Sequence, residues 1–301
     1  MLAGSHAWHS GEFDACTPRS LVPVLNVPLI LHTLNWLKQA GISTIVLCVN
    51  HEGHRFRRFF GDGAALDLDL YYQEDHLPRG PAGCAFDASQ IVDADQFVVV
   101  EANSIHLLSL HDLLASHQDA GESGTVVVER STQRNPQEEK SFRPAGIYVL
   151  ERTLLNHVPD CGFIDIKEWL IPELYRNDHG IHRFNAMRIA PRVHDIASYL
   201  QINYWALNEM IKTAQVSTGP NFHCSIVLDD NVQIAPSARI VGPCLIGRNT
   251  IIEEDVMIIG PTIIGRNCTI GSGAMVHNSV MWDRASVRPG AVANGLIRAR
   301  W

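Results

Sequence analysis

Four side chains able to hold a metal, His6, His9, Asp14 and Cys16, crowd into one loop between Gly4 and Arg19. Their spacing fits no common zinc pattern, so a metal centre is the minor reading of this stretch. The seven cysteines are scattered and form no C-x-x-C pair, as expected of reduced, mostly buried thiols. Arg55, Arg57 and Arg58 cluster within a short helical pattern, where they read as one solvated face rather than a phosphate track. Asp195 closes the run Val193-His194-Asp195. A lone aspartate there is a cap or turn residue more often than a metal ligand. His277 projects from a repeated coil near the C-terminus, and a histidine in such a place is able to move a proton.

The elements that must position these groups alternate between strand and helix. Asn26 is expected to cap a helix with Pro28 in its first turn, Ile30, Leu34 and Leu37 on one face, and Gly41 as its stop. Residues 42–50 then read as a buried strand, because IVLCV is continuous, apolar and β-branched. A helix over 53–60, a strand over 68–73, a helix over 82–92 and a strand over 96–101 continue the alternation. A helix over 107–120 and a strand over 125–129 complete it. Such a pattern implies a mostly parallel sheet covered on both faces, with ligands at the carboxyl ends of its strands. Only Met1, Leu2 and Ala3 precede Gly4, so the first strand is either stunted or begins upstream.

From residue 232 the period changes to six. Small or β-branched residues fall at Val232, Ala238, Cys244, Thr250, Val256, Thr262, Cys268, Ala274 and Val280. Two positions after each come Ile234, Ile240, Ile246, Ile252, Ile258, Ile264, Ile270, Val276 and Trp282. This is the hexapeptide signature of a β-helix, in which the large residue points into a triangular prism and the small one fits near a corner. The frame falters at Arg288 and Asn294, which mark the capping end. These readings divide the chain into an α/β domain over 1–203, a helical linker over 204–220 and a β-helix over 221–301.

Bulk properties exclude several classes. A chain of 301 residues is long enough for two domains with sizeable cores. No apolar run approaches the roughly 18 residues of a membrane span, and no signal peptide is visible, so a cytoplasmic protein is expected. The net charge of −8 argues against broad nucleic-acid binding.

The opening residues, Met1-Leu-Ala-Gly4 through Thr17-Pro-Arg19 to Pro28, resemble those of the sugar-1-phosphate nucleotidyltransferases. In that family L-A-G-G-x-G-T-R leads, after the same interval, to a lysine. The frame from Gly4 to Arg19 is kept, while Ser5 and Ala7 replace glycines, Trp8 a threonine, His9 the arginine and Arg19 the lysine. The resemblance implies a Rossmann-like α/β domain followed by a left-handed parallel β-helix. It also implies transfer of a nucleotidyl group from a nucleoside triphosphate to a sugar-1-phosphate, with Mg2+ in an active enzyme.

The same resemblance assigns roles. Arg19 and His9 take the catalytic positions, the latter degenerate, since a mostly neutral imidazole replaces a permanent guanidinium. Leu2, Ala3, Gly4, Gln73 and Gly80 take the nucleotide. Glu139, Lys140 and Gly146 take the sugar phosphate, and the family's pocket strand ahead of Glu138 is missing. Asp195 keeps one metal position, and Asn103 replaces the other metal carboxylate with a neutral amide.

Three functions follow. The first is a binder of nucleoside triphosphate or NDP-sugar with weak or no catalysis. It would act as a homo-oligomer or as a regulatory subunit beside an active paralogue. The second is an active transferase with a rewired site. The third, for His277, is an acyltransferase of the hexapeptide kind.

Overall fold

The computed structural model describes residues 1–4, 17–49, 53–75, 77–130, 142–187, 190–212, 222–223, 225–295 and 297–298. The elements begin β1 (Pro23–Val24), β2 (Val27–Pro28), α1 (Leu29–Gln39), β3 (Thr44–Val49), α2 (Gly53–Phe60), β4 (Asp69–Glu74) and α3 (Gly80–Ser89). They continue β5 (Gln96–Val100), α4 (Leu110–Ala120), β6 (Gly124–Arg130), β7 (Phe142–Glu151) and α5 (Arg152–Leu155). Then come α6 (Ile171–Arg176), β8 (Ile181–Ala186) and α7 (Ile196–Ile211), ahead of the short strands of the β-helix. Among the described residues, contacts group 1–4, 17–20 and those between 29 and 190 into one compact unit, and 21–28 and those from 191 onward into a second. Residues 191–203 therefore pack with the repeats.

The first unit is an α/β domain. Its strands lie in the order β4, β3, Leu2, β5, β7, β6, β8, and all share one direction except β7. The mostly parallel sheet is thus found, with one antiparallel member. In place of a first strand there is one bridging residue, Leu2, paired to Cys48 on one side and Glu101 on the other. One core gathers Val99, Val126, Tyr148 and Leu150 of the sheet against Leu154, Ile166, Leu170 and Leu174 of the helices. Burying such side chains supplies the main driving force.

The second unit corrects the expectation for Asn26. Leu25 and Asn26 both adopt positive φ, 51° and 62°, and turn the β1–β2 hairpin. That two-residue geometry favours asparagine. The helix starts only at Leu29, and Asn26 Nδ2 instead donates to Ile264 O at 2.9 Å. The connecting helix also begins earlier than expected, at Ile196, and it is packed into the unit. Tyr199 OH donates to Pro23 O at 2.6 Å and receives the Trp282 indole N–H at 2.8 Å. Asn203 Oδ1 accepts from Leu25 N at 3.1 Å. Burial pushes the Tyr199 phenol far up, so it stays neutral and able to donate.

Three parallel sheets form the faces of the left-handed β-helix. Ile226 pairs with Cys244 and Cys244 with Thr262, one coil per three hexapeptides. Ile240, Ile246, Ile252, Ile258, Ile264, Ile270 and Val276 all point inward and are at most 1% exposed. Ala238, Cys244, Thr250, Val256, Thr262, Cys268 and Ala274 fill the corners, equally buried. Burial pushes the Cys244 thiol up to about 12 and that of Cys268 up to about 11, so both are inert. Among the described residues Cys48, Cys244 and Cys268 are buried, Cys84 is half-buried and Cys161 is exposed, in keeping with mostly buried thiols.

The last coil departs from the repeat. Ile263 pairs with Val280 and Ile264 with Met281, so this coil is one residue shorter than those before it. A one-residue shift sends side chains to the opposite face. Met281, not Trp282, is therefore the inward residue, and Trp282 turns outward to Tyr199. Strands continue through Val292–Asn294 and Ile297–Arg298, past the expected cap.

Ile258 is fully buried in the core of the prism, so Ile258→Ala leaves a cavity. The expected loss is about 2–5 kcal/mol in denaturant unfolding. A loss below about 1 kcal/mol would mean that the prism interior is not close-packed.

Candidate functional site

The carboxyl end of the α/β sheet brings several of the singled-out residues into one transverse row. Gln73 on β4 pairs with Cys48 on β3, Cys48 with Leu2, and Leu2 with Glu101 at the end of β5. Glu101 N then donates to Gly146 O at 2.9 Å. Leu2 N donates to Val100 O at 2.8 Å and Ala102 N to Leu2 O at 3.0 Å, and Ala3 and Gly4 both donate to Cys48 O at 2.9 Å. The N–H of Gly4 is thereby part of the sheet rather than of an open anion cradle. Ala102 and Asn103 continue from β5, as the parallel topology requires of a ligand-facing edge.

Arg19 opens a short 3-10 turn, Arg19–Leu21. That turn is tied to the row, because Ser20 Oγ donates to Ala3 O at 3.1 Å. Gly80 begins α3 with φ of 73°, and a Cβ there would lie 2.6 Å from Ile164 O. Glycine is required here by the close pass of a neighbouring backbone. The pass is fixed by Ala82 N donating to Ile164 O at 3.0 Å and Ile164 N to Arg79 O at 2.8 Å. Gly146 also has positive φ, 72°, and a Cβ on it would meet the Glu101 carboxyl carbon at 2.7 Å.

That carboxylate is the group that local sequence patterns did not reveal. Glu101 Oε1 stands 3.2 Å from Lys167 Nζ, a pair joining the end of β5 to a π-helical turn, Ile166–Leu170. Asp165 caps that turn, accepting from Lys167 N at 2.6 Å and Glu168 N at 3.0 Å. The one available signal was an acid ending the apolar run Phe97-Val-Val-Val100. Two residues further, the Asn103 amide oxygen is buried without a hydrogen-bond partner among the described residues.

Asp195 belongs to the second unit, where it is the N-cap of α7. Its Oδ1 accepts from Ser198 N at 2.7 Å and Ser198 Oγ at 2.6 Å, while Ser198 Oγ also accepts from Asp195 N at 2.9 Å. This reciprocal box satisfies orphan donors at the helix start. His9, Glu139 and Lys140 lie outside the described residues, as do His6, Asp14, Cys16 and the stretch of the missing pocket strand. Among the described residues no three metal-ligating side chains gather. His277 lies in register with Ile259 and Asn294 on one prism face. Arg57 stacks its guanidinium 4.4 Å from the Tyr72 ring centre, and Arg58 is exposed.

With this geometry the chain can be placed among known proteins. A nucleotidyl transferase family model matches residues 15–139, and a bacterial transferase hexapeptide model (six repeats) matches residues 243–278. The protein is thus a nucleotidyl transferase domain followed by a hexapeptide β-helix. It is a homologue of the sugar-1-phosphate nucleotidyltransferases. A UTP–glucose-1-phosphate uridylyltransferase of Synechocystis is 25% identical, over 91% of this chain and 80% of that protein. A mannose-1-phosphate guanylyltransferase of Mycobacterium tuberculosis is 23% identical, over 97% and 81%. The fold is shared with a Bacillus anthracis structure assigned as a glucose-1-phosphate thymidylyltransferase, crystallised with sucrose. Its TM-score is 0.59 at 17% identity, covering 72% of this chain and 96% of that one. Among the described residues no helix is long and apolar enough to cross a membrane.

If capping is the work of Asp195, Asp195→Ala should cost about 1 kcal/mol of stability and Asp195→Asn a few tenths. Chemical denaturation of both variants decides. Equal losses would show that the charge, not the cap, is what matters.

Proposed function

We propose that this protein binds a nucleotide or NDP-sugar at the carboxyl end of its α/β sheet and turns it over weakly or not at all. It then works as a binding or regulatory subunit, in a homo-oligomer or beside an active paralogue. Asn103 carries this reading. It stands where the resemblance puts a metal carboxylate, and its amide oxygen is buried, neutral and unpartnered among the described residues.

The donor set does not suit Mg2+. An amide brings no charge to a hard dication. Asp195 Oδ1 is engaged in a helix cap, and the nearest carboxylate in sequence to Asn103, Glu101, already pairs with Lys167. His9 in place of an arginine weakens the site further, since removing one donor that stabilises transition-state charge typically costs about 10²–10³ in rate.

The second reading is an active transferase. It is favoured by the length shared with relatives named as enzymes, 80% and 81% of those chains. Pyrophosphate release, measured with Mg2+ over a panel of nucleoside triphosphates and sugar-1-phosphates, separates the two. The expected outcome is turnover at or near background. Rates within about tenfold of an active homologue on any pair would overturn the non-catalytic reading. The double variant His9→Arg, Asn103→Asp should raise the rate by about 10² or more if the rest of the pocket is competent.

A further inference from the structure

We infer that Glu101 reads the sugar of a bound NDP-sugar, with Lys167 as its positioning residue. The inference rests on the reading above. Its geometry is local. The Glu101 carboxylate sits over the bare Cα of Gly146, with Oε2 2.9 Å from where a Cβ would stand. Its other oxygen is held by Lys167 at 3.2 Å, and the side chain keeps 22% of its surface exposed. Both ends of the pair are fixed, one by the pairing of Glu101 with Leu2 and Gly146, the other by the Asp165 cap.

A carboxylate held in an ion pair offers hydrogen-bond acceptors and no donor. Such a group repels phosphate and attracts a polyol, whose adjacent hydroxyls can both donate to it. In an NDP-sugar two parts carry such hydroxyls, the ribose and the sugar. Along the row, Gln73 and Leu2 lie to one side of Glu101 and Gly146 to the other. Glu101 leans over Gly146, away from the strands proposed to take the nucleotide, which favours the sugar. An ion pair that served only to tie the π-helical turn to the sheet would have no preference between ligands.

Calorimetry with matched pairs, UDP against UDP-glucose and GDP against GDP-mannose, tests this on the full chain, Glu101→Gln, Glu101→Ala and Lys167→Met. For at least one pair the parent chain should bind the NDP-sugar about tenfold more tightly than the NDP, the order expected of hydrogen bonds to a charged group. Glu101→Ala should abolish that ratio, and Glu101→Gln and Lys167→Met should reduce it. NDP affinity should stay within about twofold throughout. A ratio near one in the parent, or a ratio that survives in both Glu101 variants, overturns the inference and leaves nucleotide binding standing. Equal weakening of NDP and NDP-sugar would assign Glu101 to the ribose and also overturn it. Failure of the parent chain to bind any of the four ligands would sink the proposed function itself.

Discussion

Leu2 is paired between the two halves of the α/β sheet, and the alignment of the candidate site depends on that pairing. Its own N–H and C=O are bonded to Val100 and Ala102, while Met1 and Ala3 on either side of it bond to Cys48. On one side lie β3 and β4, on the other β5, β7, β6 and β8. No other described residue bridges β3 to the β5 side. Gln73 and Gly146 belong to opposite halves, so their common row exists only because Leu2 carries the register across. Parallel pairing leaves little freedom here, since a slip of one residue would turn every side chain of a half-sheet to its other face.

The second unit is ordered by a different device. A repetitive prism presents nearly equivalent coils, and nothing in a hexapeptide says where a helix should dock. The hydrogen bonds of Tyr199, Asn203 and Asn26 supply that address. Asp195 starts the docked helix, so the residue whose position resembles a metal ligand has a sufficient structural occupation of its own.

What was legible in the sequence was what is local and periodic. The six-residue repeat announced the β-helix because each residue's burial depends on its place in the coil. The alternation of strands and helices announced the sheet for the same reason. The antiparallel direction of β7 was not legible, because direction is a property of the connection. Asn26 read as a helix cap because asparagine suits both caps and tight turns, and only the pairing of Val24 with Val27 decides between them. The site was legible only as far as motif spacing reaches. Gly80 and Gly146 were found, and the physical reasons they must be glycine, Ile164 O and Glu101, were not. Glu101 and Lys167 lie 66 residues apart in sequence, and no window contains both.

The shortened coil works like the offset mark on a vernier scale. In a uniform stack, gaining or losing one coil displaces every later residue by about 4.8 Å along the axis and leaves its surroundings nearly unchanged. Here Trp282 faces outward only because one residue is absent between His277 and Val280, and its indole must meet a hydroxyl on α7. Adding a coil below it would carry the indole out of hydrogen-bond range. The prism is therefore free to vary in length beyond Trp282, while the number of coils between the docked hairpin and that indole is fixed.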